Sequence, residues 1–332
     1  MKTLLYEKLS HDRVKCGMCH HYCVIKTGEH GRCRVRENKS GTLKTLVYPY
    51  IVARSVDPVE KKPFFHVKPG SSSFSIASAG CNFTGTFCQN ADISQFPSPA
   101  RPMETTPEEL VNQALQKDCA SIAYTYTEPT IYFELALETA MLAREKGLLN
   151  LFVTNGYMSP EVIHAASPYL DGANVDLKAF NDNFYKTICG GRLEPVKQNL
   201  ILMKSLGILV EVTTLIIPGH NDDRHEIEAM ATFISEELGH ETPWHLSRFY
   251  PCHGMSQVPP TPDATLKMAF QAGKDAGLRY IYIGNAPGLG HEDTCCHVCG
   301  GTLIKRLAYR TDNRMTTPGI CPLCNTEVHG IF

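Results

Sequence analysis

Between residues 74 and 283 short apolar runs alternate with helical stretches, and this alternation constrains the fold more than any other feature of the chain. The runs cover 74–79, 120–126, 149–155, 173–179, 209–217, 244–250 and 280–283 and are rich in Ile, Val, Phe and Tyr, side chains that suit strands. Helix starts lie between them. Thr106-Pro107-Glu108-Glu109 offers an N-cap, a first-turn proline and an acid three residues on. Ser159-Pro160 and Thr261-Pro262 open two more helices in similar style. Residues 130–147 carry apolar side chains at helical spacing, Gly147 is a plausible stop, and 221–239 reads as a further helix. Repeated β–α units predict an α/β fold with a parallel sheet and right-handed crossovers. Six or seven units fit a closed barrel, a partial barrel or an open doubly wound sheet. In each, ligand chemistry belongs at the C-terminal ends of the strands. There the sequence collects Gly80-Cys81, Thr127-Glu128-Pro129, Asn155-Gly156, Asp176, Lys178 and Pro218-Gly219-His220, with His245 on the sixth run.

A net charge of −2 without long like-charge runs argues against a nucleic-acid partner. The start, MKTLLYEKLSHDR, lacks the apolar core of a signal peptide, and the longest apolar region, 200–218, is broken by Lys204 and Glu211. The expectation is a cytoplasmic protein with no membrane segment. No GxGxxG follows the first strand and no GxxxxGK[ST] occurs, which removes the usual support for nicotinamide dehydrogenases and P-loop phosphotransferases.

In a cytosolic chain, clustered cysteines point to metal, and most of the fourteen here are clustered. Cys16, Cys19, Cys23 and Cys33, with glycines nearby, predict a small knuckle holding zinc or an accessory iron–sulfur cluster, with zinc slightly favoured. Cys296-x2-Cys299 and Cys321-x2-Cys324 match zinc-ribbon spacing and predict structural zinc or rubredoxin-like iron, with Cys295 spare and His297 and His329 as bystanders. Cys119, Cys189 and Cys252 stand apart and read as inert buried thiols. The expected organisation is a metal-knuckle region at 1–60, a barrel at 61–290 entered through a linker at 61–73, and a C-terminal knuckle at 291–332.

The segment CNFTGTFC, 81–88, resembles the CxxxCxΦC loop of the radical S-adenosylmethionine enzymes, with Gly85 in the place of the middle cysteine. The resemblance continues through YTYTEPT (124–130), VTNG (153–156), NVDLKAF (174–180), WHLSRFYP (244–251) and YIYIGN (280–285). It runs toward the pyruvate formate-lyase activating enzymes and most strongly toward the radical member of the AmmeMemoRadiSam system. It implies a partial (β/α)6 barrel whose first-strand loop binds a 4Fe–4S cluster through three thiolates. The fourth iron takes S-adenosylmethionine, whose reductive cleavage gives a 5′-deoxyadenosyl radical that abstracts hydrogen from a substrate, here a protein or peptide by analogy. On this resemblance Cys81 and Cys88 are iron ligands and Phe87 packs near the adenine. Glu128 accepts the methionyl amino group, Asp176 and Lys178 lie near the carboxylate with His245 in the corresponding place on strand six, and Asn155 belongs to the same cofactor rim. A flavodoxin- or ferredoxin-type electron donor and the two other proteins of the AmmeMemoRadiSam system are the implied partners.

Glycine cannot ligate iron. Position 85 is open to four explanations: an engineered replacement, a degenerate copy, a third ligand from elsewhere in the chain, or a recoded codon such as selenocysteine. Glycine there predicts an impaired enzyme, and it admits a second function class, a metal-stabilised scaffold or partner-binding subunit. Simpler readings stand beside the site readings. Glu128 alone is a helix cap, Asp176 and Lys178 are an ordinary ion pair, and His245 is a core histidine.

Overall fold

The computed structural model describes residues 3–95 and 102–332. Its centre is an eight-stranded sheet: β1 (Ala53–Pro58), β2 (Ser72–Ala77), β3 (Ser121–Tyr124), β4 (Leu149–Thr154), β5 (Gly172–Asp176), β6 (Leu209–Ile216), β7 (Trp244–Arg248) and β8 (Ile281–Gly284). Strands β2 to β8 lie in sequence order and are parallel, while β1 pairs antiparallel with β2 at the edge. The order is a partial barrel, and β1 is an element the sequence did not announce.

Helices α1 (Pro107–Gln116), α2 (Phe133–Glu145), α3 (Pro160–Ala166), α4 (Leu193–Ser205), α5 (Arg224–Phe233) and α6 (Asp263–Asp275) provide the crossovers. Thr106 and Glu109 form the expected reciprocal capping box on α1. The expected helix over 221–239 starts later, capped by the Asp223 side chain, and ends in a wider turn, Ile234–Leu238.

Alternation along the strands separates two cores. Ile122, Tyr124, Phe152, Val175, Val212, Leu246 and Ile283 face outward, in one apolar cluster with Leu110, Leu135, Ile163, Leu200, Met230 and Leu266 of the helices. Ala123, Leu151 and Leu209 face inward and meet Val59, Phe64 and Val67. The expected linker at 61–73 is therefore not a linker: its first residues fill the N-terminal end of the barrel. Gly172 permits this close approach, because a Cβ there would stand 3.2 Å from the Phe64 ring.

The chain's two ends cap opposite ends of the barrel. The C-terminal knuckle joins the floor: Val67 bridges Ile331, and Phe65, Tyr280 and Tyr282 share a cluster with Cys296, Leu303, Ile304, Cys321 and Val328. The N-terminal region, with strands Tyr6–Lys8, Val14–Cys16 and Val24–Ile25, lies against the opposite end. There Cys19 bridges Met158 just past β4, His20 N donates to Tyr157 O, and the buried Arg36 pairs with Glu134 at the start of α2. Among the described residues no helix is long and apolar enough to cross a membrane.

Candidate metal and cofactor site

The loop after β2 lies at the C-terminal end of the parallel strands, where the fold rule places ligand chemistry. Neighbouring segments grip it: Thr84 N donates to Cys189 O at 2.9 Å, and Gly254 N donates to Thr86 O at 2.8 Å. Cys81 Sγ accepts from Phe83 N, and Cys88 Sγ lies 3.2 Å from Ser94 Oγ. Burial, followed by the nearby Glu128 carboxylate, pushes the Cys81 thiol up to about 12, so metal ligation there must displace its proton.

Asn155, just beyond β4, directs its amide toward the loop, 2.7 Å from Asn82 Oδ1 and 3.8 Å from Cys81 Sγ. Lys178 Nζ pairs with Asp176 Oδ2 at 2.7 Å and stands 5.4 Å from the centre of the Phe87 ring. Burial lowers the affinity of Lys178 for its proton, but Asp176 more than compensates and holds the ammonium above its usual range. The plain ion-pair reading thus describes Asp176–Lys178 correctly, and the pair also sits beside the cysteine loop.

Two residues make contacts that the sequence did not announce. The Glu128 carboxylate accepts from Thr130 N, Thr130 Oγ1, Thr154 Oγ1 and Asn155 N. These bonds make it a clamp between the ends of β3 and β4. Burial raises its pKa even against those donors. His245 is turned to the floor rather than the rim. Its Nε2 lies 2.6 Å from Glu211 Oε2, and its ring stacks on Tyr282 and meets Phe65 edge-on. Glu211 also accepts from Phe65 N and His66 N. Burial raises the Glu211 carboxyl, but His245 and His66 outweigh it and hold the group below its ordinary range.

Sequence reasoning passed over two cysteines. Cys252 Sγ lies 3.3 Å from Phe87 O and close enough to Cys88 to feel its charge. Buried Cys189 lies beside Lys178 and Asp176. A lone cysteine outside any spacing pattern carries no signal of this placement.

The loop fits an iron–sulfur cluster at two of three ligand positions. At the third, Gly85 has no left-handed backbone requirement, and a Cβ would meet only Phe87, at 3.7 and 3.8 Å. The geometry admits an ordinary side chain where none is present. Buried Asn82 Nδ2 and Thr86 Oγ1 have no protein partner, as suits a rim that binds a polar cofactor.

At the C-terminal knuckle the donor atoms of Cys296, Cys299, Cys321 and Cys324 all lie within 4.8 Å of one another. The Cys296–Cys324 and Cys299–Cys321 sulfurs are 3.6 and 3.7 Å apart, near the ~3.8 Å that a tetrahedral ion with metal–sulfur bonds of about 2.3 Å requires. The Thr326 hydroxyl and backbone hold Cys324 below its usual range, while the neighbouring Cys299 is pushed up. Cys295 is exposed and outside the set.

A family profile described as "Radical SAM superfamily" matches residues 75–234, from β2 to the end of α5. The chain is 43% identical over 330 residues, 98% of each chain, to "Uncharacterized protein MJ0808" of Methanocaldococcus jannaschii. It is 28% identical to the isethionate sulfite-lyase activating enzyme of Nitratidesulfovibrio vulgaris, over 58% of this chain and 66% of that one. Among solved structures, a radical SAM methyltransferase from Sphaerobacter thermophilus superposes with a TM-score of 0.51 at 15% identity, covering 67% of this chain and 68% of the other, which bears on the fold alone. With the parallel barrel and its first-strand cysteine loop, these similarities support radical S-adenosylmethionine chemistry: the chain belongs to the radical SAM superfamily.

Proposed function

We propose that this chain is an activating-enzyme-like member of the superfamily that takes a hydrogen atom from a protein or peptide, and that glycine at position 85 impairs it. A 4Fe–4S cluster with S-adenosylmethionine would supply a one-electron cleavage of the sulfonium and a carbon radical able to abstract hydrogen. Cys81 and Cys88 would hold iron. Lys178 and Asp176 would bind the charged methionyl end, Phe87 would give an apolar wall, and Asn155 would orient the loop through Asn82. The AmmeMemoRadiSam resemblance belongs to this reading, as do the two companion proteins and a flavodoxin- or ferredoxin-type donor.

One observation carries the proposal: Cys81 and Cys88 sit on a loop at the ligand end of the barrel, with Asn155, Asp176 and Lys178 converging on it from β4 and β5. The test is anaerobic reconstitution of the chain and of Gly85→Cys, with iron content and 5′-deoxyadenosine measured together. The variant is expected to gain iron and to form the nucleoside at least tenfold faster. Full turnover by the parent chain, with glycine confirmed by mass spectrometry, would overturn the impairment. Failure of Gly85→Cys both to bind and to cleave S-adenosylmethionine would overturn the enzyme reading and favour the scaffold, the alternative that Gly85 itself supports.

A further inference from the structure

The two outer cysteine sets have different geometry. Those at the C-terminal end close to the spacing of a single ion, whereas among the described residues the N-terminal thiols form no such tight group. They nevertheless face one another. Cys16, Cys19, Cys23 and Cys33 line one cavity of about 20 Å³, with Met18, His21 and Asn82 in its wall. That volume admits roughly one water-sized sphere. Four sulfurs closed around one zinc, each about 2.3 Å from the metal, leave no room for water between them. A cube of four irons and four sulfides carries one thiolate per corner, so its thiolates stand wider and a void remains at the centre when only they are counted.

The cavity's position is equally specific. His21 Nε2 lies 2.8 Å from the carbonyl oxygen of Asn82, the residue after Cys81. Ser159 donates its hydroxyl to Gly17 O, tying the cage to the segment beyond β4. The cage therefore abuts the barrel's ligand end, while the C-terminal knuckle sits at the floor. Buried Arg36 also lines it, its guanidinium held in place by the Glu134 carboxylate.

We propose that Cys16, Cys19, Cys23 and Cys33 bind a 4Fe–4S cluster, separate from the barrel loop's site and beside it, and that the C-terminal knuckle alone is a one-zinc site. This assignment does not rest on the barrel loop being active.

The test uses the full chain carrying Cys81→Ser and Cys88→Ser, reconstituted anaerobically with iron, sulfide and zinc. The expected result is about four iron and about four acid-labile sulfides per chain, a brown colour, and about one zinc. Adding Cys19→Ser and Cys33→Ser should remove the iron and sulfide and leave the zinc. Iron-edge absorption spectroscopy on the unmutated chain, which needs no variant to fold, should show iron–iron scattering. About two zincs with no sulfide in the Cys81→Ser/Cys88→Ser chain, or absence of iron–iron scattering in the unmutated chain, would overturn the proposal. Absence of 5′-deoxyadenosine formation by Gly85→Cys with the N-terminal iron and sulfide in place would instead count against the enzyme reading and leave this assignment standing.

Discussion

Glu128 shows how far a single side chain can be read from sequence. Its place after the second apolar run was legible, and so was its capping of the turn that follows. Its main partners, Thr154 and Asn155, come from the next strand, and no local pattern reveals them. Glu128→Gln keeps the shape but turns an amide N–H2 toward buried donors, which should cost about 2 kcal/mol of stability. Urea midpoints with an unchanged slope would show it, and a midpoint equal to that of the parent chain would contradict the clamp. His245 makes the same point in reverse. Its strand was legible, but its use was not, because Glu211 and Phe65 reach it from distant parts of the chain. The cysteine loop was read through its resemblance to the CxxxCxΦC loop, and the structure places it directly after the first parallel strand.

The elements were readable where one physical pattern ruled them. All seven predicted strands are present because parallel strands covered on both faces are near-continuously apolar. The edge strand β1 escaped because ARSVDP carries Arg54, Ser55 and Asp57, a composition that a two-sided buried strand would not tolerate. Asp57 is nevertheless essential to its own corner. It pairs with Lys62 Nζ at 2.7 Å, where the lysine side chain is 2% exposed, and with Lys61 at the same distance. Tyr126 also donates to it. Burial depresses the Lys62 ammonium to about 8 even with this partner. Asp57→Asn would leave a buried, uncompensated cation and should destabilise the protein by about 3 kcal/mol. Thermal unfolding would register this as an early transition, and Asp57→Asn/Lys62→Met should recover much of the loss.

At the scale of the molecule, the floor is where the C-terminal tail, the 59–67 segment and the barrel become one body. His66 is fully buried between them, its Nδ1 2.6 Å from His329 O and its Nε2 2.7 Å from Tyr282 Oη. The carbonyl can only accept, so Nδ1 carries the hydrogen and Nε2 accepts from the tyrosine. Burial lowers the His66 pKa to about 4. The unfolded chain therefore binds this proton more readily, and His66's contribution is full above about pH 6.5 and is lost as the pH falls toward 4. The loss should amount to about 3 kcal/mol. Stability curves at pH 7 and pH 4.5 should differ less in His66→Gln than in the parent chain; an equal difference would place the acid sensitivity elsewhere. None of this was legible in the sequence, which marks 61–73 only as a stretch without periodicity, because the burial of His66 depends on residues more than two hundred positions away.

The plugged floor also dictates traffic. With Phe64 and Val67 packed inside the strands and Ile331 behind them, the floor of the barrel is filled among the described residues. Under the proposed function, a spent nucleoside would sit at the same end of the barrel as the incoming cofactor. Added 5′-deoxyadenosine should accordingly compete with S-adenosylmethionine, raising KM and leaving kcat unchanged in steady-state assays of Gly85→Cys. A purely noncompetitive pattern would show that the two do not share one site.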